Sequence, residues 1–456
     1  MASGISSLVK NQREFFLTGN TRSYEFRIAA LKKLYKYIKE NEDKISAAVK
    51  KDLNKDPFET YMCETGLVLD EIRFHIKHLK KWMTQKNIRT PLAQFPSKSF
   101  ISPEPYGVVL IMSPWNYPIQ LCLEPLIGAI SAGNCAIIKP SAYAPASGKM
   151  IVKMISDIFP EDYIAVVEGG RSENTALLNE KFDYIFFTGS VAVGKTVMSA
   201  ASKYLTPLTL ELGGKSPVII DDTADMKLAA RRLAFGKVLN AGQTCVGPDY
   251  LLLKDGLFDS FIDNFKAALN EFFPSKDMSD MVNIISEKHF KRIERLLDGQ
   301  KIAIGGNCDG DRLFIEPTVL KDVDKESPIM QEEIFGPILP VIAWNNIDDV
   351  TTFINSRPKP LALYLFTKDH NTEKHILNSC SFGGGCINDT IIHLATSYMG
   401  FGGVGESGMG QYHGKKSFET FTHYRSIVKK SCLIDLPIRY FPYTASKSKL
   451  LHKFLR

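Results

Sequence analysis

The chain has no cysteine pair at redox or metal-ligand spacing, although it carries eight cysteines in 456 residues. They stand singly at 63, 122, 135, 245, 308, 380, 386 and 432, in no CxxC pair and no close Cys/His spacing. A disulfide framework and a structural zinc site are therefore excluded, no metal is expected, and a reducing, cytoplasmic setting fits best. No apolar run reaches the roughly 18 residues of a membrane span, and no basic segment followed by an apolar one opens the chain. Neither membrane anchoring nor export is expected. Charge of one sign is scarce too, with a net of only +6. Lysines crowd 32–51 and 77–86, but Glu25, Glu40, Glu42 and Asp43 sit among the first group. Such mixed helix faces are solvated surface, and no aromatic-basic module accompanies them, so a nucleic-acid partner is not expected.

What is present is globular in composition, 44% hydrophobic and 23% charged. The length exceeds one ordinary core and implies two or three domains. Leu31, Leu34, Tyr35 and Ile38 fall on one face of a helix over 24–41, and Ile72, Ile76 and Leu79 on a second that ends near Trp82. Four prolines between Thr90 and Pro105 mark an extended arm. The period then changes. Apolar runs at 108–112, 136–138, 164–167 and 184–187 alternate with helical stretches at 121–132 and 146–158, and a second unit repeats the pattern with strands at 218–220, 250–253, 338–342 and 362–366. Apolar runs without alternation, separated by helices, predict parallel sheets covered on both faces. The fold class is α/β: two open parallel-sheet domains plus a small β arm, in which the aromatic tail from Phe418 pairs with the extended segment. In such sheets ligands gather beyond the carboxyl ends of the strands, so Asn116, Lys139 and Gly189 share one crevice.

Two glycine-rich strings invite phosphate chemistry. Residues 189–196, GSVAVGKT, spell the P-loop pattern GxxxxGK[ST] after a strand and before a helix. A nucleotide triphosphatase is thus an alternative reading, but it leaves Cys245 without work. In either case a Gly-Ser turn at a helix N-terminus offers free N–H groups to a phosphate. Residues 403–408, GVGESG, spell GxGxxG, but no apolar strand precedes them, and tight backbone packing is the better reading.

Cys245 lies in VLNAGQTCVGPDY (238–250), a turn between a helix over 224–239 and the strand at 250–253. Most cysteines in a reduced chain are small buried hydrophobes. A thiol held in a turn beside a cleft is also the setting for a nucleophile. Glu211, at a strand end ahead of Gly213 and Gly214, Glu333 with Phe335 two residues on, and Asn116 between two prolines are polar groups placed for the same cleft.

These segments together resemble the NAD(P)-dependent aldehyde dehydrogenase superfamily, most closely its class 3 branch for fatty and aromatic aldehydes. The matching stretches are PWNYP (114–118), IIKPS (137–141), FTGS (187–190) with Gly194, LELGGKSP (210–217), NAGQTCVGPDY (240–250), EEIFGP (332–337) and GGVGESGMGQYHGKKSFETFTHYRS (402–426). The resemblance implies oxidation of a medium-chain, long-chain or aromatic aldehyde to the carboxylate. Cys245 would form a thiohemiacetal and then a thioester, and Asn116 would hold the oxyanion. Glu211 would activate the hydrolytic water. Lys139, Trp115, Gly189, Ser190, Gly194, Glu333 and Phe335 would contact NAD or NADP. It also implies cofactor-domain segments at 1–81 and 104–210, a catalytic domain at 211–393, a bridging arm and tail at 82–103 and 411–456, and a glycine-rich return at 394–410. A homodimer follows by resemblance. The tail ends in KLLHKFLR rather than in the apolar helix of anchored members, so no membrane anchor is expected. One departure stands out: many members carry a glutamate after the KPS triplet, whereas here the residue is Ala142. Without that carboxylate a 2′-phosphate is not repelled, so NADP use is expected. A noncatalytic scaffold is the other alternative, and it requires an inert Cys245.

Overall fold

The computed structural model describes residues 2–275 and 278–455. Val108–Met112 is buried at every position and runs at the centre of a six-stranded sheet. Cys135–Lys139 and then Ile164–Val166 lie on one side of it. Tyr184–Gly189 and Leu208–Leu212 lie on the other. All five are parallel, and the order reverses at Val108–Met112, which opens a crevice at its carboxyl end. The helix Gln120–Ala132 is wholly buried and apolar but for Gln120, Glu124 and Ser131, as suits a helix sandwiched between layers. It stops at Gly133, whose φ of 93° is a left-handed cap and whose absent Cβ leaves room for the Arg27 guanidinium.

A second sheet has seven strands, in the order Lys301–Ile304, Thr318–Lys321, Ile338–Trp344, Tyr250–Lys254, Pro217–Ile220, Ala362–Phe366 and Gly384–Ile387. Only Lys301–Ile304 runs antiparallel. The stretch between the helix at 258–272 and Met330, irregular to the eye, therefore supplies two strands to this sheet, a short antiparallel pair (Cys308–Asp309 with Phe314–Ile315) and the helix Glu287–Arg295. The predicted arm is real. Ser97–Pro105 pairs over its whole length with Thr422–Lys430, and Lys86–Ile88 adds a third strand. The tail departs from expectation beyond Lys430, where it forms the helix Ala445–Phe454. Arg456, the last residue of the KLLHKFLR ending, lies outside the described residues. Two further corrections concern length: Ala2–Leu17 and Glu42–Leu53 are helices that the reading of apolar stripes passed over.

The glycine-dense stretch behaves as tight packing. Gly408–Met409 joins the six-stranded sheet as an antiparallel edge against Leu210 and Glu211. A Cβ on Gly402, Gly403 or Gly408 would stand about 2 Å from a backbone oxygen, so no side chain fits there.

Candidate active site

Cys245 is reached through a backbone turn of unusual conformation. After the helix Met226–Val238, Asn240 and Ala241 adopt φ of 50° and 52°, and Gly242 follows at 70°. Three left-handed residues in a row are costly and persist only where surroundings hold them. Here the hold is visible. Asn240 Nδ2 donates to the Asn116 and Gln243 carbonyls, both at 2.9 Å, and the Asn240 N–H donates to Glu59 at 2.8 Å. Gln243 in turn donates to Asn283 O at 3.0 Å and accepts from Ile285 N–H at 3.1 Å. Gly242 has no Cβ because the Gly336 carbonyl would lie 2.3 Å from it. The segment carrying Glu333 and Phe335 is thereby pressed against the cysteine turn.

Asn116 belongs to the loop that leaves the central strand Val108–Met112. Its side-chain amide donates to the Gln243 carbonyl at 3.0 Å, which fixes the amide plane and leaves its second N–H for another acceptor. Glu211 sits inside the strand Leu208–Leu212, one residue deeper than a strand-end position, and is 1% exposed. Its carboxylate faces the Cys245 thiol and the Thr188 hydroxyl, yet neither carboxylate oxygen reaches normal hydrogen-bond geometry. Burial pushes Glu211 up from 4.5 to about 7. Burial, and then the neighbouring Glu211, push the Cys245 thiol well above its usual range, so the resting sulfur keeps its proton. A proton on sulfur beside an unsatisfied carboxylate of near-neutral pKa is a base facing its acid.

Two spaces lie in the neighbourhood of this pair. A cleft of about 840 Å³ runs over the carboxyl ends of the six-stranded sheet. Trp115, Lys139, Ala142, Thr188, Gly189 and Ser190 are among its lining. An apolar tunnel of about 120 Å³ includes Cys245 in its wall, with Tyr117, Leu121, Phe235, Ile391 and Tyr412. Thr188 lines the cleft and Cys245 the tunnel, and Glu211, which lines neither, faces both residues. Lys139 is buried, and its Nζ is held by the Pro140 carbonyl at 2.7 Å.

Of the predicted cofactor residues, Trp115, Lys139, Gly189 and Ser190 line the cleft, and Gly194, Glu333 and Phe335 do not. Gly189 and Ser190 precede the helix Val191–Ser202, whose N-cap Ser190 makes no side-chain cap, so the first-turn N–H groups stay available to an anion. Gly194 is inside that helix and buried against Leu212. It makes room for close helix packing and does not line the cleft. The helix also disposes of the P-loop reading. Residues 191–196 are all helical, so no loop wraps a phosphate, and Lys195 points outward to Glu406 at 3.4 Å. Glu333 is pressed onto Gly213, where a Cβ would come within 2.0 Å of its Oε2, and burial raises its pKa to about 8. Phe335, at φ of 50°, stands edge-on to Trp115 with ring centroids 5.4 Å apart. Lys215 ties this segment down by pairing with Asp249 and donating to Ile329 O and Glu332 O, each at 2.8 Å.

Some site residues had no sequence signal. His289 closes one side of the cleft, edge-on to both Trp115 and Tyr143 at 5.2 Å. Burial depresses its pKa to about 4, so it is a neutral ring rather than a cation. Tyr412 lies within the glycine-rich stretch, and its ring reaches the tunnel from there. Among the described residues no group of three or more His, Cys, Asp or Glu side chains is placed to hold a metal ion.

Comparison with known proteins fits this arrangement. The model of the Aldehyde dehydrogenase family matches residues 2–427. A 4,4'-diaponeurosporen-aldehyde dehydrogenase from Staphylococcus aureus is 48% identical over 450 residues, covering 98% of each chain. An aldehyde dehydrogenase described as dimeric and NADP-preferring, from Rattus norvegicus, is 44% identical and covers 94% of this chain and 96% of its own. A solved structure, the substrate-bound state of Staphylococcus aureus AldH, superposes with a TM-score of 0.97 at 48% identity, covering 99% of both chains.

Proposed function

The chain belongs to the aldehyde dehydrogenase family and oxidises aldehydes to carboxylates with NAD or NADP, and on that premise we propose how its own residues divide the work. Cys245 attacks the aldehyde carbon while its proton passes to Glu211. The carbonyl oxygen takes up the charge and is met by the free N–H of the Asn116 amide and the Cys245 backbone N–H. Preorganised donors of this kind are worth ~3 kcal/mol each. The cofactor, when bound, accepts the hydride. The acyl group then rests on sulfur as a thioester, and Glu211, once it has released the thiol proton to solvent, takes a proton from the water that attacks the acyl carbon and expels the Cys245 thiolate. The observation that carries this reading is the buried Glu211 carboxylate facing the Cys245 thiol of the tunnel wall.

Lys139, Gly189, Ser190, Trp115, Glu333 and Phe335 hold the cofactor in this proposal. The uncapped helix start suits the pyrophosphate, and the buried Lys139 suits a ribose. Segments 1–81 and 104–210 serve the cofactor and 211–393 the chemistry, while the arm and tail join two copies, as the dimeric relative supports. A cytoplasmic location is proposed with it. Among the described residues no helix is long and apolar enough to cross a membrane.

The tunnel favours apolar aldehydes. Each methylene buried along its wall contributes ~0.8 kcal/mol, so kcat/KM should rise by about fourfold per added CH2 in a straight-chain series until the tunnel is filled. A flat series, or a preference for a short charged aldehyde, would remove the tunnel from the substrate path. Ala142 makes the cofactor choice testable. It is exposed in the cleft near Lys139, and no carboxylate stands at its position. Native enzyme should turn over with NADP at least as well as with NAD. Ala142→Glu should shift the ratio of kcat/KM toward NAD by about tenfold or more, since one charge repulsion in a partly enclosed site is worth ~1–2 kcal/mol. An unchanged ratio would show that the 2′-phosphate is read elsewhere.

A further inference from the structure

Lys55 lies in the turn between the helices Glu42–Leu53 and Pro57–Thr60, and it is fully buried. Its ammonium donates to Glu64 Oε1 at 2.7 Å and to the Asn116 carbonyl at 3.2 Å, and it stands 4.3 Å from the centre of the Tyr117 ring. Glu64 is equally buried. Its other oxygen accepts the N–H of Ile119 at 2.8 Å and of Gln120 at 3.4 Å, where the helix Gln120–Ala132 begins. One ion pair therefore grips the segment 116–120 at both ends. Neither residue lines the cleft or the tunnel.

Fold stability does not account for such a pair. Taking two charges out of water costs as much as their attraction returns, and apolar side chains of similar volume hold a core as well or better. Lys55, however, gives the Asn116 carbonyl a second donor beside Asn240, which no apolar replacement supplies. The chain also distorts itself to place the carboxylate. Residues Tyr61–Thr65 form a π-helical turn between the helical stretches Pro57–Thr60 and Gly66–Trp82, which shifts the helical phase at Glu64. Such insertions recur at functional sites. Gly66 is required there, because a Cβ would stand 2.5 Å from the Tyr61 carbonyl.

We propose that Lys55 and Glu64 are positioning residues for the aldehyde-activating amide: their ion pair fixes the backbone of 116–120 so that the Asn116 side chain meets the reacting oxygen. This rests on the role given to Asn116 above. The test replaces the pair by apolar residues, Lys55→Met with Glu64→Leu, in the full-length enzyme. Melting temperature and NADP affinity should stay near native, while the first-turnover burst of reduced cofactor slows by about tenfold or more, since a displaced oxyanion donor loses much of its effect. Asn116→Ala should slow the native burst by roughly 100-fold, but it should slow the burst of the apolar-pair enzyme far less, because the two changes remove one interaction. A native burst from the apolar-pair enzyme would overturn the proposal and leave Asn116 untouched. A native burst from Asn116→Ala itself would overturn the reading of Asn116 instead, and the pair with it. Should the apolar pair not fold, Glu64→Gln, isosteric and still able to accept from Ile119, gives the same decision: a slower burst at unchanged NADP affinity supports the proposal, and an unchanged burst ends it.

Discussion

Cys245→Ala binds NADP with native affinity and, on addition of an aldehyde, releases no reduced cofactor. Binding is expected to survive because the lining of the cleft does not include Cys245. The turn should also survive, since it is held by Asn240, Gln243 and Gly242 rather than by sulfur. Chemistry should not survive. Without a covalent adduct the hydride would have to leave an aldehyde hydrate, and loss of a covalent nucleophile that works with a partner base costs on the order of 10⁵–10⁶ in rate. Cofactor titration followed by a single-turnover assay checks both halves. Retained turnover would mean that another group carries the acyl chain. Cys63, the other thiol of the tunnel wall, is the control. Burial puts its pKa at about 12, and unlike Cys245 it has no hydrogen bond from its thiol to a carboxylate among the causes of that shift. Cys63→Ala should therefore leave turnover close to native.

The chemistry of the site was legible because it sits where sequence pattern is least ambiguous. Val108–Met112, Cys135–Lys139 and Tyr184–Gly189 are buried on both faces and read as unbroken apolar runs, and Asn116, Lys139 and Ser190 follow them within a few residues. Once those runs are strands of one parallel sheet, their carboxyl ends converge. The GSVAVGKT string shows the opposite case. Its residues match a loop pattern, but Ala192, Val193 and Val197 extend helical spacing back to Val191, and the helix leaves no loop to form.

What stayed hidden depends on contacts far apart in the chain. His289 reaches Trp115 from a helix that has no apolar stripe long enough to stand out, and Ser286 caps it locally. The strands at 301–304 and 318–321 are only four residues each, the first partly exposed at the sheet edge and the second buried beside it, too short for alternation or a continuous apolar run to mark them. Lys55 and Glu64 read as two charges among many. That they are fully buried and bonded to the Asn116 loop emerges only from the packing of the N-terminal helices against it. The left-handed backbone at Asn240 and Ala241 is equally invisible, because neither residue type demands it and the surrounding hydrogen bonds impose it.

Glu211→Gln should separate the two halves of the reaction. A first burst of reduced cofactor is expected, somewhat slowed because glutamine cannot take the thiol proton. Steady turnover should fall by roughly 100-fold or more, the usual worth of a general base. An acid-quenched sample of the variant should then hold the acyl group on the peptide that contains Cys245. Loss of burst and turnover together would place Glu211 only before hydride transfer, and unchanged turnover would end its role as base. The pH dependence follows from the same burial. With its pKa raised to about 7, the native carboxylate is ionised only above that value, so hydrolysis should rise with pH through about 7 and level off beyond it. The sign for stability is opposite. Between the unfolded value of 4.5 and about 7 the folded chain binds the extra proton, so the folded state loses up to ~3 kcal/mol as pH rises through that window. Glu211→Gln, which has no charge to bury, should melt higher than native at pH 8 and alike at pH 4. A base that weakens the fold in the pH range where it works is what the enzyme keeps facing the Cys245 thiol, and equal melting of the two proteins at pH 8 would show that Glu211 is not held in the dry setting its pKa requires.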